Sequence, residues 1–165
     1  MINMQKITPC LWFDHQAEEA ANFYISIFKN SRITNVNRYG EAGQEVHGQK
    51  AGTVMVVAFE LDGQSFTALN GGPVFHFNEA ISLQIGCETQ QEVDYYWNKL
   101  SAGGDPAAQQ CGWLKDKYGL SWQVVPTALL AMLNDPDEQK SARAMNAMLQ
   151  MKKFDIEQLK RAYDG

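Results

Sequence analysis

Four polar side chains set at two-residue spacing interrupt otherwise apolar runs. In Ile81-Ser82-Leu83-Gln84-Ile85, Ser82 and Gln84 share one side of an extended chain and Ile81, Leu83 and Ile85 the other. In Leu120-Ser121-Trp122-Gln123-Val124-Val125 the same alternation sets Ser121, Gln123 and Val125 against Leu120, Trp122 and Val124. Hydroxyls and carboxamides both donate and accept, so such stripes can orient a small molecule. They supply no nucleophile with its base. The residues that could supply one are dispersed: His15, His47 and His76 lie in loops or turns, where a solvated imidazole is expected. Cys10, Cys87 and Cys111 show no CxxC spacing, and their strand-like surroundings predict buried free thiols. Asp116, in the turn Asp116-Lys117-Tyr118-Gly119, is expected to accept hydrogen bonds from nearby backbone N–H groups. No catalytic residue emerges.

The elements that must carry these groups can be read in order. Ile7–Phe13 suits a strand, with Pro9 at its start or edge. Asp14 can cap a helix over about 17–28, whose apolar positions are Ala17, Ala20, Ala21, Phe23, Tyr24, Ile27 and Phe28. Residues 31–39 alternate as a strand, 40–52 form a polar, glycine-rich loop, and 53–61 with 64–69 form a hairpin about Asp62-Gly63. After the Gly71-Gly72-Pro73 turn the pattern restarts. A strand over 80–87 leads to Thr89, which with Glu92 makes a capping box, and then to a helix striped by Val93, Tyr96, Trp97 and Leu100. A short strand near 107–110 and a hairpin of 112–115 with 120–125 would complete the second unit, with Gly119 free to take a positive φ in the turn. The order is therefore β-α-β-β-β twice, an internal repeat of about 55 to 65 residues visible in element order more than in identity.

Beyond Pro126 the signals turn helical. Ala128–Leu133 gives one or two turns, Asp135-Pro136-Asp137-Glu138 starts a helix to about Met151, and Asp155 caps a last helix over 156–163. The Ala144, Met145, Met148 and Leu149 stripe is expected to pack against the sheet or a partner subunit.

With 165 residues, 45% of them hydrophobic, the chain can bury a real core. Its formal net charge of −5 and its 14 scattered Lys and Arg argue against nucleic-acid binding. No apolar run of about 18 residues spans a membrane, and the opening Met1–Ile7 lacks a basic stretch followed by an apolar one. A cytoplasmic location is expected.

Two β-α-β-β-β modules, the second ending in a strand-Asp-x-x-Gly-strand hairpin, resemble the vicinal oxygen chelate superfamily that includes glyoxalase I and the bleomycin and fosfomycin resistance proteins. Ile7–Phe13, Glu18–Tyr24, Cys111–Pro126 and Ala147–Lys153 resemble its PhnB-like branch, which often carries the label 3-demethylubiquinone-9 3-methyltransferase. The resemblance implies an α+β fold with both modules, about 6–70 and 79–126, forming a cupped mixed sheet in a domain over 1–126, followed by a helical extension over 127–165. It also implies a homodimer.

Metal-binding members use one inward-pointing residue from the first and last strand of each module, and those places fall at Pro9, Phe66, Ser82 and Gln123. Pro and Phe offer no donor, so no metal site and no cofactor are expected. The Gly71-Gly72 pair reads as a turn rather than the glycine-rich loop of a Rossmann-like methyltransferase. If the resemblance holds, Leu11, Phe13, Phe66, Asn70, Ser82, Gln84, Trp113, Gln123 and Val125 line the cup, while Trp12, Trp122, Tyr24 and Trp97 anchor the core beneath the helices. The expected function is metal-free binding of a small molecule. The alternatives are a metal-dependent lyase, isomerase or dioxygenase, and the methyltransferase of the label.

Overall fold

The computed structural model describes residues 5–165, so Met1 to Met4, part of the opening stretch read above, lie outside the described residues. The chain divides into two compact units, Met1–His76 and Phe77–Gly165.

The first unit runs β1 (Cys10–Phe13), α1 (Ala17–Ile27), β2 (Arg32–Arg38), a short α2 (Gln44–His47), β3 (Val54–Leu61) and β4 (Gln64–Asn70). Its four strands lie in the order β1-β4-β3-β2. The β1–β4 pair is parallel, and the other two pairs are antiparallel. Asp62 and Gly63 both take positive φ, 47° and 79°, which gives the β3–β4 hairpin the tight turn its strand twist favours. Helix α1 covers one face. Tyr24 stacks on Phe59 at 6.4 Å and Phe59 on Phe66 at 5.6 Å, with Leu11, Phe13, Val57, Leu61 and Ala68 buried around them.

Asp14 does not cap α1. The N-cap is Gln16, which makes no side-chain cap bond, and the Ala17 N–H instead donates to Asn70 Oδ1 at 2.8 Å. A helix's first amide groups need an acceptor from somewhere, and here the end of β4 supplies one.

The second unit runs β5 (Ser82–Cys87), α3 (Gln90–Ser101), β6 (Trp113–Lys115), β7 (Ser121–Pro126), α4 (Thr127–Leu133), α5 (Glu138–Met148) and α6 (Ile156–Asp164). Its three-stranded sheet has the order β5-β7-β6, with β5 parallel and β6 antiparallel to β7. Thr89 caps α3 by accepting from the Glu92 N–H at 3.2 Å. The strand expected near 107–110 is absent: Pro106–Ala108 is a 3-10 turn capped by Asp105, leaving only a bridge between Gln110 and Trp113. The second unit is thus β-α-β-β, one strand short of the first.

The tail helices belong to the second unit. Leu129, Met132, Ala144, Phe154 and Leu159 form their core, with Met148 and Met151 packed against it. Of the stripe expected to pack on the sheet or a partner subunit, Met148 packs on this tail core and Met145 is exposed. Backbone hydrogen bonds join Cys111 N–H to Met151 O and Gly112 N–H to Lys152 O, at 2.9 and 2.8 Å. Gly112 is required here twice over: its φ is +80°, and a Cβ would lie 2.4 Å from the Phe154 ring. Asp137 caps α5 and Asp155 caps α6; α5 ends at Met148, three residues before the sequence estimate.

Candidate functional site

In the first unit the alternation runs opposite to the sequence expectation. Leu11, Phe13, Phe66 and Asn70 lie on the face covered by α1, all less than 9% exposed, and do not line a cup. Asn70 is a structural link: besides its bond to Ala17, its Nδ2 donates to Val54 O at 3.0 Å, and its carbonyl accepts from the Tyr39 hydroxyl at 2.6 Å. The neighbours one residue along, Cys10, Trp12, Thr67 and Leu69, take the face turned away from α1. Trp12 is therefore not a core anchor beneath the helix. Its Nε1 donates to Gly72 O at 2.9 Å, its ring meets Phe75 edge-on at 5.0 Å, and a Cβ at Gly71 would lie 2.2 Å from the indole. The Gly71-Gly72 pair is thus shaped by an indole.

In the second unit the expected facing is found. Leu83, Trp122, Val124 and Leu114 turn toward α3, as do the buried Val93, Trp97 and Leu100 of that helix toward them. The other face carries two rows in register. Ser82, Ser121 and Lys115 make one; Gln84, Gln123 and Trp113 make the next, with Gly86 and Val125 beyond. Gln123 Nε2 donates to Ser82 Oγ at 2.8 Å. Trp113 and Gln123 are half-buried and Gln84 is exposed, so this face offers an aromatic wall beside a carboxamide and a hydroxyl.

Two of the four positions where the resemblance places metal ligands are therefore Pro9 and the core residue Phe66, and the other two, Ser82 and Gln123, are bonded to each other. A divalent ion does not fit this donor set. Among the described residues no group of three or more His, Cys, Asp and Glu could hold one.

The turn beneath the rows behaves as read. Asp116, 2% exposed, accepts from the Tyr118 and Leu120 N–H groups at 2.8 and 3.1 Å and from Trp122 Nε1 at 2.9 Å, which fixes the hairpin that presents Trp113 and Gln123.

Of the three thiols only Cys87 is buried, and desolvation with the Glu92 charge pushes it up to about 11. Cys10 is exposed and Cys111 half-buried, so the expectation of three buried thiols holds for one. His47 is more than a solvated loop residue: its Nδ1 accepts from the Gln49 N–H at 2.9 Å and its ring packs on Tyr39 at 4.6 Å. His15 and His76 are exposed. Lys115 shares this face although the sequence reading does not place it there; the two-residue period from Trp113 points to it, as that from Gln123 points to Ser121.

Helices packed with two mixed sheets make this an α+β fold. The chain belongs to the 3-demethylubiquinone-9 3-methyltransferase family, whose sequence profile matches residues 5–125. The PhnB protein from Bacillus cereus, which carries the same methyltransferase designation, is 41% identical over 74% of this chain and 100% of its own, with a TM-score of 0.63. Two more distant structures share the fold alone. PA1353 from Pseudomonas aeruginosa is 17% identical over 74% of this chain and 98% of its own, with a TM-score of 0.56. The fosfomycin resistance protein FosX from Listeria monocytogenes is 16% identical over 82% of this chain and 100% of its own, with a TM-score of 0.51. No curated protein matches the chain. Among the described residues no helix is long and apolar enough to cross a membrane.

Proposed function

We propose that the protein binds a small, flat, partly apolar molecule without a metal, on the face of the second unit that carries Ser82, Gln84, Trp113 and Gln123. The observation that carries this reading is the pairing of Gln123 with Ser82 beside the half-buried Trp113. Hydroxyl and carboxamide groups orient a ligand, and the indole supplies contact area. No imidazole, carboxylate or thiol stands in either row to serve as nucleophile or general base, which favours binding over turnover.

The reading extends to a homodimer, supported by Leu130, Met145 and Leu149, which are 40–51% exposed on the tail helices. It also extends to a reducing, cytoplasmic setting, supported by three free cysteines.

A thermal-shift screen of small aromatic and amphipathic compounds, followed by calorimetry, tests it. A ligand should be found whose affinity falls about 10-fold or more in Gln123→Ala and Trp113→Ala, as loss of an orienting hydrogen bond and of aromatic contact predicts. A screen without binders, or binders indifferent to both substitutions, overturns it.

A further inference from the structure

Within the second unit one buried polar group is left over by the fold. Ser121 is 1% exposed, and among the described residues its Oγ is the buried side-chain oxygen or nitrogen that lacks a hydrogen-bond partner. Such an orphan ordinarily costs about 1–3 kcal/mol. It lies on the central strand of the sheet, with Ser82 of β5 and Lys115 of β6 paired to it on either side. The Lys115 ammonium is engaged by the carboxylate of Glu79, which precedes β5. One ion pair therefore joins the two segments that flank Ser121. Its members differ in kind: the Lys115 side chain is 24% exposed on a strand, and the Glu79 side chain is 63% exposed in a segment without helix or strand. The cation is held by the fold, and the anion is the part free to leave.

We propose that Lys115 and Ser121 form the anion-recognising end of the ligand site, that the ligand carries a carboxylate, and that Glu79 stands in for that carboxylate until the ligand displaces it. One ammonium with a hydroxyl on the same row suits a single negative charge, and the group now bound there is itself a carboxylate. Trp113, two residues before Lys115 on the same face, lies about 7 Å along the strand. That spacing suits an aromatic ring carrying its carboxylate directly or through one carbon. The inference rests on the binding reading above and names the chemistry of its ligand.

Benzoate and its neutral counterpart benzamide are the probes, titrated calorimetrically against the full chain. Benzoate should bind about 10-fold or more tightly than benzamide, and Lys115→Met should erase the preference. Glu79→Gln should tighten benzoate several-fold and leave benzamide unchanged, since it removes a competitor rather than a contact. Ser121→Ala should weaken benzoate while leaving the melting temperature equal or higher, whereas a structural hydroxyl would lower it. Equal affinity for the two probes, or a Glu79→Gln variant that binds benzoate no tighter, overturns the inference. If neither probe binds while a neutral compound from the screen does, the carboxylate end is wrong and the binding reading stands; if nothing binds, both fail.

Discussion

Asn70 shows what a single carboxamide does in a β-sheet that must hold a helix. Its oxygen takes an α1 amide that no local residue caps, and its nitrogen closes onto β3. Replacing it with Ala leaves the Ala17 N–H unsatisfied in a buried place and the Val54 carbonyl unsatisfied in a half-buried one. We expect Asn70→Ala to cost about 2–3 kcal/mol, read as a lower denaturant midpoint, with ligand affinity per folded molecule unchanged. A variant of normal stability with lost binding would return Asn70 to the site. The sequence places Asn70 in the cup and the structure places it under α1, for a physical reason. In Leu11-Trp12-Phe13 both faces of the strand are apolar, so a two-residue period gives the alternation but not its sense. In Ser82–Ile85 and Ser121–Val124 polar and apolar residues alternate cleanly, and there the sense was legible.

At the scale of elements, the helices were legible from their stripes and caps, while short segments were not. Ala107-Ala108-Gln109-Gln110 has no two-residue alternation, and the Asp105-Pro106 pair, a cap followed by a fixed φ, decides for a turn. The tail is tied to α3, and tied internally, by groups that sense acid. Lys153 bonds Asp94 of α3 at 2.8 Å, and this bond, with that from Gln90, holds the Asp94 carboxyl below its ordinary value of 3.8. The Tyr163 hydroxyl does the same for Asp135, just before α5. A carboxyl whose folded value is depressed stabilises the fold above its unfolded value, and that contribution disappears as the pH falls through the folded value. Calorimetric melts should therefore show Asp135→Asn less stable than the parent chain at pH 7 and indistinguishable from it near pH 2. A gap that persists in acid would contradict this coupling.

At the scale of the molecule, family membership and fold converge, while the chemistry rests on one face of one unit. A net charge of −5 sits with a small-molecule ligand rather than a polyanion. The repeat of β-α-β elements was legible because in each module an apolar helical stripe follows the first strand and a hairpin turn closes the last two. The missing strand of the second module was not, since pairing depends on partners distant in sequence. The proposed metal-free reading rests on the donor set: Pro9 and Phe66 cannot ligate, and Ser82 and Gln123 satisfy each other. Elemental analysis by mass spectrometry, on protein purified without chelator or affinity tag and with occupancy counted per chain, tests this most directly. The account predicts far less than one metal ion per chain, whereas stoichiometric metal would contradict it and place the metal-dependent enzymes of this fold first.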